Sequence, residues 1–432
     1  MFKQFTLKGS SLKKISTSLV VIASLLVAQA PFADNAMAAG AQKEEKKKRP
    51  TQLVGPKIGK KVQKAFEFYA AETPDIDSAL AILLDANPKK DYDKAYVSYF
   101  IAQMYAMKGN KVAESIKYLK AAVGPDVLNT PDQGGGLKLL ADLQMQTKDY
   151  KNALKNYYAW MEFTGKDDGN TWVKIAQANY ELKQLAKMIV PADKAIAAFG
   201  DTPNQNPYIL KLTSYYERKK YKEAISVLET VILIFPENKS WWSQLPMFYL
   251  LVENYPKALQ TLDLAYKQGF LEKESQFKTL ANLYSSSEAP YKAAMLLEKH
   301  IASGEITRDD KNISALANAW HAAQHISTAA KYYGELAKLT NEAKHYRKQG
   351  MLLKQDEQFN KAIPALQKAL ELGIKNKGRI YMSIAESYFY LEKYKKAYAA
   401  INKAMEDPKS RKAAKSWKGF IADTANRKKV SI

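Results

Sequence analysis

A short pattern of residues recurs along this chain at a nearly constant interval. An aromatic residue is followed after three positions by alanine and, four positions later, by another aromatic or an aliphatic residue. The copies are Tyr150-Ala153-Tyr157, Tyr221-Ala224-Leu228, Tyr255-Ala258-Leu262, Phe359-Ala362-Leu366 and Tyr394-Ala397-Ile401. The alanines at 224, 258, 329, 362 and 397 lie 33 to 35 residues apart, or about twice that. A fixed period of this length predicts a solenoid of helix pairs, which usually works by presenting a surface.

The spacing of apolar residues is helical from Lys61 onward. Apolar side chains recur at steps of three and four residues, and no stretch shows the alternation of a strand. Turn signals interrupt this pattern at Gly109-Asn110, Gly124-Pro125-Asp126, Pro203-Asn204, Pro236-Glu237-Asn238, Gly373 and Asp407-Pro408. The sequence therefore predicts an all-α chain of about ten helix pairs.

Each of several predicted pairs carries a second small residue, in its first helix. It precedes the alanine of the second helix by twelve residues in the pairs Ala317 and Ala329, Gly350 and Ala362, and Ala385 and Ala397. Two helices can cross closely only where their side chains are small, and a neighbouring bulky residue fills the groove beside the crossing. We therefore expect these residues to lie where the two helices of a pair cross.

The combined pattern resembles the tetratricopeptide repeat (TPR). Residues 205–238 carry Leu212, Tyr215, Ala224, Leu228, Val231 and Pro236, and residues 378–408 carry Ala385, Tyr388, Ala397, Ile401 and Ala404. The resemblance covers roughly residues 60–408 and weakens at 170–200, where Tyr180 is out of step by one residue and Pro191 precedes Ala192. It implies an all-α TPR superhelical solenoid of about ten antiparallel helix pairs over residues 61–408. Residues 409–432 are expected to form a capping helix and tail that cover the last apolar face.

The N-terminal segment has the three parts of a secretory signal peptide. Four lysines precede a twelve-residue apolar run, Leu19 to Ala30, and Ala36-Met37-Ala38 offers small residues to a signal peptidase. A membrane anchor is the alternative, but a span needs about 20 apolar residues. We therefore predict a signal peptide at 1–38, cleaved after about Ala38, and export to the periplasm. Residues 39–60, which include the charge run Lys43 to Arg49, are predicted to be a disordered basic tether.

Charge and cysteine content limit the possible partners. The formal net charge is +22 and the chain has no cysteine. Such a charge favours acidic partners, including an anionic envelope surface or an acidic protein segment. Export and the spread of lysines over helix faces argue against nucleic acid. A chain of this length can bury a sufficient core without disulfides.

No catalytic or cofactor motif stands out. His321 and His325 are four residues apart, but no zinc-protease glutamate lies between them and no further ligand is in view. The chain has no Gly-x-Ser-x-Gly motif and no cysteine nucleophile. We therefore predict a protein that is not an enzyme and that has no metal, cofactor or small-molecule substrate.

The TPR resemblance implies a binding groove lined by the first helix of each pair. The residues at the corresponding places include Tyr96, Tyr99, Gln103, Ile209, Thr213, Tyr216, Lys278, Asn282, Asn318, His321, Lys344, Arg347, Lys354, Arg379 and Phe389. Some TPR domains hold a partner's C-terminal carboxylate with lysine and asparagine. Lys278, Asn282, Lys344 and Lys348 stand at four of those places, whereas Ala315 replaces the second asparagine. Converging ammonium groups in a groove would favour a carboxylate.

The chain as a whole resembles the periplasmic TPR proteins associated with a TonB–ExbB–ExbD system in Gram-negative bacteria. The resemblance rests on the leader, the Lys-Glu-Lys tether, the degenerate repeats and the basic C-terminal tail. It implies a scaffold that binds a TonB-type or ExbB/ExbD-type component and assists iron-siderophore or haem uptake. A TPR partner of cell-wall synthesis or outer-membrane assembly is the alternative.

Overall fold

The regular structure of the chain is helical. The computed structural model describes residues 49, 50 and 52–432, and in them it has 21 α-helices, one short 3-10 helix and no strand. The predicted signal peptide and half of the predicted tether, residues 39–48 and 51, lie outside these residues. No described helix is long and apolar enough to cross a membrane.

The helices fall into two compact units, which meet in the chain between Val227 and Leu228. The first unit contains α1 (Pro56–Tyr69), α2 (Ile76–Leu84), α3 (Asp91–Lys108), α4 (Val112–Val123), α5 (Thr130–Gln146), α6 (Tyr150–Thr164), α7 (Gly169–Glu181), a 3-10 helix (Leu185–Met188), α8 (Ile189–Phe199) and α9 (Gln205–Glu217). The boundary between the units falls within α10 (Tyr221–Ile234). The second unit continues with α11 (Lys239–Leu251), α12 (Tyr255–Lys267), α13 (Glu274–Ser286), α14 (Pro290–Ala302), α15 (Asp310–Ala322), α16 (Ile326–Thr340), α17 (Ala343–Gln355), α18 (Phe359–Glu371), α19 (Lys377–Tyr390), α20 (Tyr394–Glu406) and α21 (Arg411–Arg427).

Each unit is a stack of helix pairs. In the first unit α1 packs on α2, α3 on α4, α5 on α6 and α7 on α8; in the second, α11 packs on α12 and so on to α19 on α20. α9 and α10 follow one another between these two series, so the described chain has the helices of ten consecutive pairs, and α21 packs on α20. The predicted all-α class and the number of pairs are confirmed.

The small residues lie at the helix crossings, as their spacing predicted. The alanines at 153, 224, 258, 329, 362 and 397 are fully buried. A Cβ atom placed on Gly350 of α17 would lie 2.6 Å from Leu366 Cγ and 3.1 Å from the carbonyl oxygen of Ala362, both on α18. Because only a residue without a side chain fits there, Gly350 fixes how closely α17 and α18 approach.

The turns inside the pairs share one backbone conformation that could not be predicted from their residue types. Eight of them have a left-handed residue at their centre, with φ between +55° and +63°, and none of these is glycine: Lys148, Lys183, Lys219, Glu253, Glu288, Gln324, Glu357 and Glu392. The next residue donates its N–H back across the turn, as from Gln358 to the carbonyl of Leu353 at 2.8 Å. This bond satisfies a carbonyl at the end of the first helix and ends that helix sharply.

Three consecutive glycines lie inside α5, although their sequence looks like a break. A Cβ atom would lie 2.9 Å from Thr164 at Gly134, 2.5 Å from the Tyr99 hydroxyl at Gly135 and 2.6 Å from Val123 at Gly136. Successive residues of a helix point in different directions. The three glycines therefore let α5 approach elements on several sides at once.

The irregular stretch at 170–200 keeps the repeat, but the small and the bulky residue of the second helix have changed places. Met188, at the end of the 3-10 helix, is fully buried three residues after Leu185, where other pairs have the anchor alanine. Ala192, four residues later, is also fully buried and stands where other pairs have a bulky residue. Pro191 lies in the first turn of α8, where its missing N–H is tolerated.

The end of the predicted tether belongs to the folded part of the chain. α1 begins at Pro56 and not at Lys61, because proline favours the first position of a helix. Arg49 donates to the carbonyl of Asp126 at 2.6 Å and to its carboxylate at 2.7 Å, and its guanidinium lies 4.8 Å from the ring centre of Phe163. The Gly55 N–H donates to Asp93 at 3.1 Å. Arg49 and Gly55 are therefore in contact with the folded chain and residues 56–60 belong to α1, whereas residue 51 is not described.

Candidate functional site

The predicted partner-binding residues of the second unit lie on the first helices of four successive pairs. We call this set the basic A-helix face. Its members are Lys278 and Asn282 on α13, Asn318 and His321 on α15, Lys344, Arg347, Lys348 and Lys354 on α17, and Arg379 on α19. The spacing of α17 gives it most of the charge, since three residues of one helical turn are Lys344, Arg347 and Lys348.

Three lysines of this face are paired with carboxylates. Lys278 Nζ lies 3.3 Å from Glu274, Lys344 Nζ lies 2.5 Å from Glu342, and Lys354 forms an ion pair with Glu386 of α19. The first pair is half-buried and the second is exposed, and ion pairs at the surface contribute only about 0–1 kcal/mol. Their lysines can therefore exchange partners, whereas Lys354 is held between two helices by a less exposed pair.

The other three cations have no carboxylate partner among the described residues. Arg347 and Arg379 are exposed, and Lys348 is half-buried. Lys348 lies with its Nζ 5.8 Å from the ring centre of Tyr333. An anion that binds to this face would therefore find the positive charges of these three residues not neutralised by a carboxylate.

Asn318, Tyr333 and Lys348 form a cluster that joins three helices. The buried Tyr333 of α16 donates its hydroxyl hydrogen to Asn318 Oδ1 on α15, while Lys348 of α17 approaches the tyrosine ring. Burial and the charge of Lys348 hold the pKa of the nearby His321 below its ordinary value. The histidine is therefore neutral at neutral pH.

The first unit contains the same arrangement with one important difference. Tyr157 donates to Asp142 at 2.6 Å, and Lys174 lies 2.6 Å from the same carboxylate oxygen and 6.0 Å from the tyrosine ring centre. The aspartate there neutralises the lysine. In the second unit Asn318 stands at the corresponding place, so Lys348 keeps an uncompensated charge.

Several predicted groove residues of the first unit are part of the core. Tyr99 is buried against the glycines of α5, and its pKa is raised to about 12 by burial and by Asp132. Thr213 is buried and donates its hydroxyl to the carbonyl of Ile209 at 2.8 Å. Tyr96 stacks between Tyr92 and Phe100. These three therefore serve packing.

Tyr216, the first unit's member of the predicted partner-binding set, is half-buried near the end of α9. Its ring centre lies 6.2 Å from that of Tyr221. It lies in a different compact unit from the basic A-helix face. Gln103 is partly buried beside a small cavity of about 30 Å³ lined by Tyr69, Phe100 and Leu139.

The two histidines at helical spacing do not form part of a larger ligand set. Among the described residues there is no group of three His, Asp or Glu side chains that could hold a metal ion. His325 is exposed at the start of α16, and its ring lies 5.1 Å from Trp320 and 5.2 Å from Tyr291 between centres. Its contacts are those of an aromatic packing residue.

Sequence reasoning missed two residues that define this face. Glu386, in α19, neutralises the charge of Lys354 by an ion pair. Tyr333 contacts both Asn318 and Lys348. Tyr333 could have been found, because it follows the anchor Ala329 by four residues as Tyr157 follows Ala153. No sequence signal indicates which lysine Glu386 would reach.

Comparison with known proteins finds likeness of structure without likeness of sequence. No protein-family model and no curated protein matches the chain. The TPR protein YrrB, described as having an unusual peptide-binding site, is 17% identical with a TM-score of 0.34, over 44% of this chain and 97% of its own. The C-terminal part of a TPR repeat-containing protein from Cytophaga hutchinsonii is 15% identical with a TM-score of 0.34, over 64% of this chain and 97% of its own. A MamA structure is 20% identical with a TM-score of 0.32, over 40% of this chain and 92% of its own. Scores this low carry no conclusion about function.

Proposed function

We propose that this chain is a non-enzymatic scaffold that binds an acidic segment of a partner protein on the basic A-helix face. The observation that carries the proposal is the replacement of the carboxylate of Asp142 by the amide of Asn318 in two otherwise similar clusters. Where the first unit neutralises its lysine, the second leaves Lys348 available. A carboxylate of the partner would supply to Lys348 the negative charge that Asp142 supplies to Lys174 in the first unit.

The chemistry of the neighbouring residues suits an acidic peptide. Arg347 is exposed one residue before Lys348, and a guanidinium can bind a carboxylate through two parallel hydrogen bonds. The exposed Asn282 offers an amide to a peptide backbone. Arg379, on the next A helix, extends the charged surface and favours a segment with several acidic residues.

The proposed setting is the periplasm, reached through the signal peptide at 1–38. The leader, the charged tether and the repeats support a partner of TonB, ExbB or ExbD type in iron-siderophore or haem uptake. A partner in cell-wall synthesis or outer-membrane assembly is the second candidate, supported by the high positive charge.

A charge-reversal pair tests the binding face. In Lys344→Glu with Arg347→Glu, two cations of α17 become anions, and binding to the acidic partner should be lost while helicity by circular dichroism stays unchanged. The matched control is Lys331→Glu with Lys338→Glu, which makes the same change of charge on two exposed lysines of the neighbouring helix α16. Equal loss in both variants would show that net charge, and not this face, holds the partner.

The partner itself should be identified by crosslinking the tagged protein in cells and analysing what is captured by mass spectrometry. Recovery of a TonB, ExbB or ExbD protein, lost in the α17 variant and kept in the α16 variant, would support the transport role. Poor growth of a deletion strain on iron-chelated medium would agree with it. Recovery of cell-wall synthases or outer-membrane assembly factors would replace that role by the second candidate.

A further inference from the structure

The C-terminal end of the second unit concentrates positive charge. Residues 393–432 contain twelve Lys and Arg but only three Asp and Glu, which gives this segment a formal net charge of +9. The whole chain of 432 residues carries +22. About a tenth of the chain therefore supplies a large part of its excess charge.

Most of these cations are not neutralised within the fold. Lys409, Lys412 and Lys415 are exposed and have no carboxylate partner among the described residues. Lys428 lies 3.6 Å from Glu392, a long and exposed contact. Of the acidic residues, Asp407 is occupied by accepting the N–H groups of Gly378 and Lys409. The charge of this end is thus directed to the surroundings.

Exposed aromatic side chains lie in the same region. Phe420 of α21 is 49% exposed and Tyr390 of α19 is 61% exposed. Both contact Phe389, with ring centres at 5.1 and 5.7 Å, and Trp417 lies beside Phe420 at 5.8 Å. The rings form one continuous cluster whose most exposed members are Phe420 and Tyr390, and Phe420 lies on the same helix as Lys412 and Lys415.

The outer face of α21 has no partner helix in the described chain. Its inner face is closed by Ala414, Ile421 and Ala425, which are fully buried. On the other side, a Cβ atom at Gly419 would meet nothing within 4 Å. The exposed residues of this helix include Lys412, Lys415 and Phe420.

We propose that α21 and the adjoining exposed residues of 393–432, here named the α21 platform, bind the surface of an anionic phospholipid bilayer. Negative headgroups complement the free lysines, whose flexible stems suit phosphates in no fixed arrangement. Phe420 would enter the boundary between headgroups and acyl chains, where aromatic residues are favoured. Such a contact would hold the scaffold at a membrane while the basic A-helix face remains a separate site.

The test measures binding of the full chain to vesicles by co-sedimentation. Vesicles of phosphatidylcholine with phosphatidylglycerol should bind the protein, vesicles of phosphatidylcholine alone should not, and added salt should weaken the binding. Replacing Lys409, Lys412 and Lys415 together by glutamine should lower the partition coefficient by about a hundredfold, since each basic residue near an anionic surface contributes roughly fivefold. Phe420→Ser should lower it by about tenfold without changing net charge.

The matched control lies on α1, which has three exposed lysines and a partly exposed phenylalanine. Lys57, Lys60 and Lys64 replaced by glutamine, or Phe66→Ser, make the same chemical changes at the other end of the described chain. The charged residues 43–48 are present in every variant, so differences between variants report on the replaced residues. These control variants should bind vesicles almost as the unchanged protein does.

Three results would overturn the proposal. The protein could fail to bind phosphatidylglycerol vesicles, or the α1 and α21 lysine variants could lose binding equally, which would indicate attraction by spread charge. A third result is vesicle binding that survives both α21 changes while crosslinking to a protein in cells is lost. The α21 platform would then be a protein-binding surface.

Discussion

At Gly350, the absence of one methyl group decides how closely α17 and α18 pack. The residue is buried at the crossing, and its neighbours on α18 are the side chain of Leu366 and the backbone of Ala362. Gly419 of α21 stands in the opposite situation, because nothing lies where its side chain would be. Two glycines inside helices therefore have different reasons for being tolerated.

Gly350→Ala and Gly419→Ala should change stability in opposite directions. At Gly350 the added methyl group would overlap Leu366, and overpacking of this kind costs about 1–3 kcal/mol. At Gly419 alanine should stabilise the helix by about 0.5–1 kcal/mol, because glycine loses more backbone entropy on folding. Thermal unfolding followed by circular dichroism measures both. If Gly350→Ala were more stable than the unchanged protein, α17 and α18 would not cross closely at this residue.

His321 should make partner binding depend on pH. Its pKa is held below the ordinary value first by burial and then by Lys348, so it is neutral at neutral pH and gains a proton as the pH falls. The proton adds positive charge beside Lys348 while peptide carboxylates remain ionised, so affinity for an acidic segment should rise as the pH falls below the ordinary histidine pKa of about 6.5.

The same lowered pKa makes the folded state less stable as the pH falls. The folded chain binds this proton less readily than the unfolded chain, so the contribution of His321 to stability is present above the unfolded pKa and is lost as the pH falls toward the folded one.

His321→Gln should flatten the rise in affinity, which fluorescence anisotropy with a labelled acidic peptide would measure. An unchanged pH profile in this variant would assign the effect to another group, such as His345, whose pKa is also lowered by burial.

At the scale of the element, the helices and their crossings followed from the sequence because both depend on local spacing. The twelve residues between Gly350 and Ala362 are set by one helix pair, so the same count recurs in other pairs. The position of three glycines inside α5 could not be predicted from the sequence, because helix propensity alone predicts that a run of glycines interrupts a helix. Only the hydroxyl of Tyr99, more than thirty residues earlier, explains Gly135.

The candidate face was predictable in its charges but not in their pairing. The positions of Lys344, Arg347 and Lys348 on one side of α17 follow from helical spacing. The pairing of Lys354 with Glu386 joins two different first helices and depends on how they stack. Side-chain partners across elements are fixed by packing, for which the repeat period carries no information.

The left-handed turn residues give a prediction about the turns. Glu357 adopts φ +56° and is exposed, and a left-handed conformation costs about 1–2 kcal/mol in a residue with a side chain. Glu357→Gly should therefore raise stability by up to about 1 kcal/mol, as the greater chain entropy of glycine offsets part of the gain.

The control for this change is the same substitution two residues earlier. Gln355→Gly places glycine in the last turn of α17, where the backbone is helical, and should lower stability by about 0.5–1 kcal/mol. Urea unfolding midpoints compare the two variants. A lower midpoint for Glu357→Gly would mean that the glutamate side chain contributes a contact that outweighs the strain.

At the scale of the whole molecule, packing is almost entirely between helices that are close in the chain. α17 packs on α16 and α18 and makes a smaller contact with α19, and the chain divides into two compact units. In such a stack, stability is approximately a sum over repeats and their nearest neighbours. A local defect should therefore have a local effect.

Gly350→Ala should loosen only the repeats near α17. Overpacking of the α17–α18 crossing weakens those two helices and their neighbours α16 and α19, because these pack directly on them. Helices α3–α6 of the first unit do not pack on α17 or α18. Hydrogen exchange measured by mass spectrometry should show faster exchange from α16 to α19 and unchanged exchange in α3–α6. Uniformly faster exchange would mean that the chain unfolds as one cooperative body, and the division into two units would then not describe its stability.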